Sequence, residues 1–425
     1  MNKKKSGRRR FLKESAALAG LAVGAARLGK GQSPGSSCGK SFKELHAYGQ
    51  RSRFDNSLRY GNNNQYGKEP TPGAYFIGGP RTPLQDSIGF ITPAPLHYIV
   101  NHSNEPPDID PAEHRLMIHG MVDRPLTFTM DELQRLPSET RVHFVECRAN
   151  GGPYLRKIPT ASVQITHGLT SCSVWTGVSL SLLLKEAGVK QGASWILAEG
   201  ADAPKHTKSI PLEKAMDDIL VAYGQNGQPV MPDQGFPLRL LVPGWQGISN
   251  VKWLRQIKVT DKPYMARAES TQYIEQRPDG KASFFTSEFG TNSVITRPSG
   301  GQRLPGRGFY EITGLAWAGN GAIRKVEVST DGGKTWKDAP LQGAVHPKAH
   351  TRFGFGWNWN GEEAVLQSRS TDEQGGVQPT LLEVTKIWNL PANYFQDQPR
   401  IIGNLNAIQP WKVMRDGSVQ NAIFA

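Results

Sequence analysis

Apolar positions along this chain have two textures. Between residues 75 and 288, strand-like runs alternate with helical ones. Arg115-Leu116-Met117-Ile118-His119-Gly120 reads as a strand entering a turn. Thr129 with Glu132 three residues later is the reciprocal cap of a helix start, so a helix is expected over Thr129 to Leu136. A second helix is expected from Leu180 to Ala187, stopped by Gly188. Leu238-Arg239-Leu240-Leu241-Val242 reads as a buried strand that Pro243-Gly244 turns into a loop. From residue 289 the texture becomes short and alternating. Ala322 to Ser329 is a strand closed by the Asp331-Gly332-Gly333 turn, with Trp336 on the return, which predicts a β-sandwich. No repeat has a solenoid or propeller period. Residues 31–74 are polar and rich in Gly and Asn, as in Asn62-Asn63-Asn64-Gln65, and predict an extended arm. The expected class is α+β, with one domain at 75–288 and a second at 289–425.

The first thirty residues form a separate unit. Arg8-Arg9 with Phe11-Leu12-Lys13, followed by the weakly apolar run Ala16 to Ala26, reads as a twin-arginine export signal. The alternative is a basic tail ahead of an ordinary secretion signal or anchor, against which the run is short and rich in Ala and Gly for a stable membrane span. The twin-arginine route exports folded proteins, so a periplasmic protein carrying a cofactor made in the cytoplasm is expected. The formal charge of +13 then loses its meaning, because nine Lys or Arg and one Glu in residues 1–30 carry +8 of it and leave +5. That balance, with no basic patch interleaved with aromatics, does not indicate nucleic acid. Cys38, Cys147 and Cys172 are too few for a disulfide framework in 425 residues. Cys38 lies in a Gly/Ser-rich linker and Cys172 precedes Ser173-Val174-Trp175 as a core position would. No C-x-x-C-H haem attachment occurs, so any electron acceptor is another molecule.

Phe144-Val145-Glu146-Cys147-Arg148-Ala149-Asn150-Gly151-Gly152 carries the candidate chemistry. One thiol follows a β-prone run and enters a Gly-rich loop, which presents a single soft ligand and lets backbone approach closely. A lone Cys is also commonly a small buried hydrophobe. The surrounding motifs decide more. Leu116-Met117-Ile118-His119-Gly120, Val145-Glu146-Cys147, Trp175-Thr176-Gly177-Val178, Gly235-Phe236-Pro237-Leu238-Arg239, Val251-Lys252-Trp253-Leu254 and Ile387-Trp388-Asn389-Leu390 follow one another in the order found in the sulfite oxidase family of molybdenum enzymes. The chain resembles that family over nearly its whole mature length. Trp195 to Asp202 and Asn250 to Arg255 look closest to its sulfane dehydrogenase branch.

The resemblance implies a mixed α/β molybdopterin-binding domain followed by an immunoglobulin-like dimerisation domain, with no haem in this chain. It implies Mo-molybdopterin, with Mo held by one pterin dithiolene and one thiolate, Cys147. Arg239 and Lys252 occupy the positions for the pterin phosphate, with Asn250 and Val251 beside them; Asp202 matches the pterin-ring acceptor, and the segment from Tyr98 through Asn101 to His102 lies along the cofactor. Gln234 stands where many members have a phosphate-contacting His, and an amide still donates.

The substrate positions depart from those of sulfite oxidases. Val100 and Gly152 occupy two arginine positions, leaving Arg352 as the third, and Tyr273 falls at the active-site tyrosine with Tyr264 as its rival. Each lost Arg–oxyanion contact removes roughly 1.5–3 kcal/mol. The expectation is therefore oxidation of sulfane sulfur on a carrier protein, with electrons passed to a c-type cytochrome. Oxidation of free sulfite comes second, methionine sulfoxide reduction third, and a cofactor-free scaffold or carrier-binding subunit is the alternative of another class. A homodimer or hetero-oligomer is expected.

Overall fold

The computed structural model describes Ser57, Arg59 and residues 79–423, apart from 103–104, 153–157, 277–279, 286–287, 392 and 398–402. The expected export signal, Cys38 and all of the expected arm except Ser57 and Arg59 lie outside the described residues.

Along the first part of the chain the strands are β1 (Arg115–Gly120), β2 (Leu126–Thr129), β3 (Ser138–Glu146), β4 (Thr170–Ser179), β5 (Trp195–Gly200), β6 (Thr207–Pro211), β7 (Leu220–Gln225), β8 (Gln228–Pro229), β9 (Arg239–Leu241) and β10 (Leu254–Thr260). Among the described residues, short α-helices lie between them, α1 (Met130–Arg135), α2 (Val163–His167), α3 (Leu180–Ala187) and α4 (Leu212–Asp217). A small hairpin, β11 (Glu275–Gln276) with β12 (Ala282–Ser283), closes this half. Thr129 caps α1 reciprocally with Glu132, as their spacing predicts, which satisfies backbone donors otherwise left without partners. Helix α3 buries Leu180, Leu183, Leu184 and Ala187, one face at helical spacing, and stops at Gly188, whose φ is 71°.

Two sheets organise this half. The first has the order β2-β1-β10-β5-β6, in which β1 and β10 run parallel and the other pairs antiparallel. Its core packs Leu116, Ile118, Ile196 and Ile257 against Leu183 and Leu184 of α3. The second has the order β3-β4-β7-β8, with β9 also pairing β7, and is antiparallel throughout. Strand β3 begins exposed and ends with four buried residues, so it carries its chain end into the protein at Glu146.

The remaining strands are β13 (Asn292–Arg297), β14 (Gly308–Trp317), β15 (Ile323–Ser329), β16 (Lys337–Asp338), β17 (Leu341–Gln342), β18 (Thr351–Trp359), β19 (Ala364–Asp372), β20 (Trp411–Val413) and β21 (Val419–Asn421), with helix α5 (Leu381–Ile387) between β19 and β20. They build the two antiparallel sheets of a sandwich, β13-β14-β18-β17 and β16-β15-β19-β20-β21. Trp317, Phe353, Leu366 and Trp411 fill its core, which continues into the second sheet through Phe144 and Cys172. Truncating an indole buried to this degree costs about 3–5 kcal/mol. The end of β3 is therefore mounted against the sandwich. Among the described residues no helix is long and apolar enough to cross a membrane.

Candidate active site

Cys147 follows the last residue of β3 and donates its backbone N–H to Leu169 O at 2.9 Å. Asn150 shapes the turn it enters. Its N–H reaches Cys147 O at 2.9 Å, its Oδ1 accepts from Leu169 N at 2.9 Å, and its Nδ2 donates to Glu146 Oε1 at 2.8 Å. The thiol is buried among Tyr98, Val145 and Trp175, and that burial pushes its pKa up. A buried thiol raised in this way reacts slowly by itself, and a bound metal would hold it as thiolate.

A cleft opens beside it. The structure brings to its lining Tyr98, Asn101, His102, Cys147, Asp202, Gln234, Arg239, Asn250, Lys252 and Tyr273, all singled out in the sequence. Two close approaches depend on glycine. A Cβ at Gly247 would lie 2.8 Å from Tyr98 Oη and 3.0 Å from Glu146 O. At Gly235, whose φ is 111°, it would meet Lys252 Cβ at 3.0 Å and Arg239 Cβ at 3.1 Å.

Arg239 and Lys252 give one end of the cavity its character. Arg239 donates to Gln234 O at 2.9 Å, Gln234 Oε1 at 3.3 Å and Asn250 O at 3.3 Å, all neutral acceptors, and its Nε has no partner. Burial pulls its pKa down to about 10. Lys252 donates to Val100 O at 3.3 Å, Asn101 Oδ1 at 2.7 Å and Asp233 O at 2.7 Å. Its pKa falls to about 7, through burial first and the Arg239 charge second. Among the described residues no carboxylate forms an ion pair with either cation, although buried charges are normally paired. Asn101 adds a buried Nδ2 without a partner. Two under-compensated cations and spare donors fit an anionic group such as a phosphate.

Also on the lining, His102 stacks on His206 with ring centroids 5.4 Å apart, and burial takes both imidazoles down to about 4. Asp202 accepts from His206 N at 2.9 Å, and burial raises its carboxyl. Two neutral imidazoles beside one carboxyl suit the heteroaromatic ring of a pterin.

Several residues have other roles than the sequence suggested. Gln234 spends its amide on Tyr98 O at 2.8 Å and on Arg239, so it orients the guanidinium. The Asn250 side chain is committed to Val242 N at 2.7 Å and Gln246 O at 3.1 Å. Val251 is packed in the core below the cavity. Arg352 does not reach the cavity. On β18 its register opposite Gln342 directs it to Gln342 Oε1 at 3.0 Å and Ser87 O at 3.2 Å. Tyr264 is also elsewhere, its hydroxyl held by Lys258 Nζ at 2.7 Å.

Tyr273 does line the cavity, after one π-helical turn whose closing bond runs from its N–H to Ala268 O at 3.0 Å. Its ring lies 5.3 Å from the Arg148 guanidinium carbon and 5.8 Å from Lys208 Nζ. Both buried cations are neutralised, Arg148 by Glu275 at 2.5 Å and Lys208 by Glu269 at 3.5 Å. Sequence reasoning missed these four residues and His206. Arg148 adjoins Cys147 and His206 follows Asp202 by four, which were the available signals; nothing local marked Lys208, Glu269 or Glu275.

Comparison with known proteins identifies related domains and a related fold. Residues 102–268 match the family described as oxidoreductase molybdopterin binding domain, and residues 283–395 the Mo-co oxidoreductase dimerisation domain. The NADH nitrate reductase of Solanum lycopersicum is 35% identical over 357 residues, and that of Volvox carteri 34% over 343, each match covering 71% of this chain. The chain spans 37% and 39% of their respective lengths. The crystal structure of the sulfane dehydrogenase SoxCD from Paracoccus pantotrophus superposes with a TM-score of 0.81 at 37% identity, covering 92% of this chain and 97% of that one. With its molybdopterin-binding and dimerisation domains in this order, the chain belongs to the sulfite oxidase family of molybdenum oxidoreductases.

Proposed function

We propose that this enzyme is periplasmic and oxidises sulfane sulfur carried on a partner protein, passing the electrons to a c-type cytochrome. The observation that carries the reading is the charge state around Cys147 and Tyr273. Val100, Val145 and Ile248 line the cavity, the neighbouring cations Arg148 and Lys208 are each held by a carboxylate, and Arg352 is outside. A compact dianion such as sulfite needs convergent free donors, whereas a sulfur atom on an extended arm needs access and tolerates a neutral lining.

Molybdopterin, when bound, supplies oxygen-atom transfer coupled to a two-electron change of the metal. Cys147 would hold the metal, Arg239 and Lys252 would pair the pterin phosphate, and Asp202 with His102 would meet the ring. Tyr273 would present its hydroxyl to the substrate. Burial holds that phenol well above the usual range, so it stays a protonated donor. Similarity to a sulfane dehydrogenase supports the substrate class.

The test is steady-state turnover of the metal-loaded enzyme with cytochrome c as acceptor, comparing a persulfidated carrier protein, free sulfite and, with reduced dye as donor, nitrate. Turnover with the carrier, and a high KM for sulfite, is expected. Saturation at micromolar sulfite with no response to the carrier, or nitrate as the best substrate, would overturn the proposal.

A further inference from the structure

Both residues that flank Cys147 are held by groups of the C-terminal half. Glu146 is buried, its Oε1 accepting from Asn150 Nδ2 at 2.8 Å and its Oε2 from Trp317 Nε1 at 2.6 Å. Trp317 is the last residue of β14, in the sandwich. On the other side, Arg148 O accepts from Asn404 N at 3.1 Å, and Asn404 Oδ1 accepts from Gln246 Nε2 at 2.9 Å. The Trp317 ring is itself fixed, with its centroid 5.1 Å from that of His350, whose Nε2 pairs with Thr170 Oγ1 at 2.9 Å. Thr170 is the cross-strand partner of Glu146, so these contacts form a closed circuit.

A buried carboxyl is an expensive way to fill space, since an apolar side chain would pack there without desolvation cost. What the carboxyl adds is direction. Its two bonds tie a rigid indole of one domain to Asn150, the side chain that shapes the Cys147 turn in the other. Dispersed packing would not converge on one turn in this way.

We propose that Trp317 is a positioning residue for the Cys147 thiolate, acting through the Glu146 carboxyl, so that the sandwich domain sets the geometry of the metal ligand. The proposal rests on Cys147 being that ligand. Without the indole N–H, Glu146 Oε2 loses its donor and the turn gains freedom.

The test compares Trp317→Phe with Trp411→Phe in the full-length protein. Trp411 is equally buried in the same sandwich core and donates to Ile295 O at 3.1 Å, away from Cys147. Each variant loses one indole hydrogen bond from a fully buried ring. Two readouts separate positioning from packing: the thiolate-to-metal absorption and Mo(V) magnetic resonance spectrum of the loaded protein, and the rate at which iodoacetamide alkylates Cys147 in metal-free protein, followed by peptide mapping. Trp317→Phe is expected to shift the spectra and speed alkylation about fivefold, the factor corresponding to one lost hydrogen bond. Trp411→Phe should change neither. If the two variants behave alike, the proposal fails. Should Trp317→Phe not fold, Glu146→Gln keeps the shape but cannot accept both donors, and unchanged spectra and alkylation in that variant would equally overturn it. A Cys147→Ser protein that kept the absorption would instead refute the ligand assignment, which distinguishes the two failures.

Discussion

The Arg239 guanidinium carbon lies 4.9 Å from the centroid of the Trp175 indole, so a buried cation rests on a buried aromatic face. Trp175 is itself held by its Nε1 donating to His143 O at 3.1 Å. Cation–π stacking offsets part of the cost of burying the charge, and neutral carbonyls supply the rest of its contacts. An incoming phosphate would complete the compensation. Arg239→Glu is therefore expected to fold but to carry at least tenfold less Mo and pterin, because repulsion replaces a charge-assisted contact of roughly 1.5–3 kcal/mol. Metal and pterin analysis of purified protein checks this, and normal cofactor content would remove Arg239 from the phosphate site.

Val100 lines the cavity and packs against the cluster that holds Cys147, so a longer side chain there would enter the space near the thiol. Val100→Arg is expected to raise kcat/KM for free sulfite by roughly ten- to a hundredfold, the value of one charge-assisted contact. The gain should appear mainly in KM. An unimproved enzyme would mean that missing positive charge does not limit sulfite use.

The stacked imidazoles give an acid dependence whose sign can be worked out. His206 and His102 have folded pKa values of about 4, below the ordinary 6.5, chiefly because burial disfavours the charged ring. The unfolded chain therefore binds more protons between pH 6.5 and 4. Stability from this source is fully present above 6.5 and is lost as pH falls through that window. Each ring contributes at most about 3 kcal/mol. Denaturant titrations of metal-free protein at pH 7 and pH 4.5 measure the loss, and His206→Gln should reduce it. His143 at about 4 and His350 at about 3 keep some acid sensitivity in that variant, so the difference between proteins is the quantity to read. An identical loss in both would exclude the pair as its source.

Local order was legible in the chain because its causes are local. The Thr129 and Glu132 cap, the apolar face of Leu180 to Ala187 and the stop at Gly188 are set by neighbours within four residues. The order of the family motifs likewise led to Cys147, Arg239, Lys252 and Asp202, which the fold gathers around one cavity.

Direction and pairing were decided only by tertiary structure. Arg352 has the residue type of a substrate ligand, yet the β17–β18 register commits it to Gln342. Arg148 and Lys208 come to Tyr273 from positions 125 and 65 residues earlier in the chain, and their carboxylates Glu275 and Glu269 come with them. Trp317 meets Glu146 across 171 residues. The sequence by itself determined which chemical groups were present and the elements that carry them. Which of those groups are neutralised, and which remain to face a ligand, depends on strand register and domain packing, because charge compensation acts through space at a few ångströms and leaves no periodic trace along the chain.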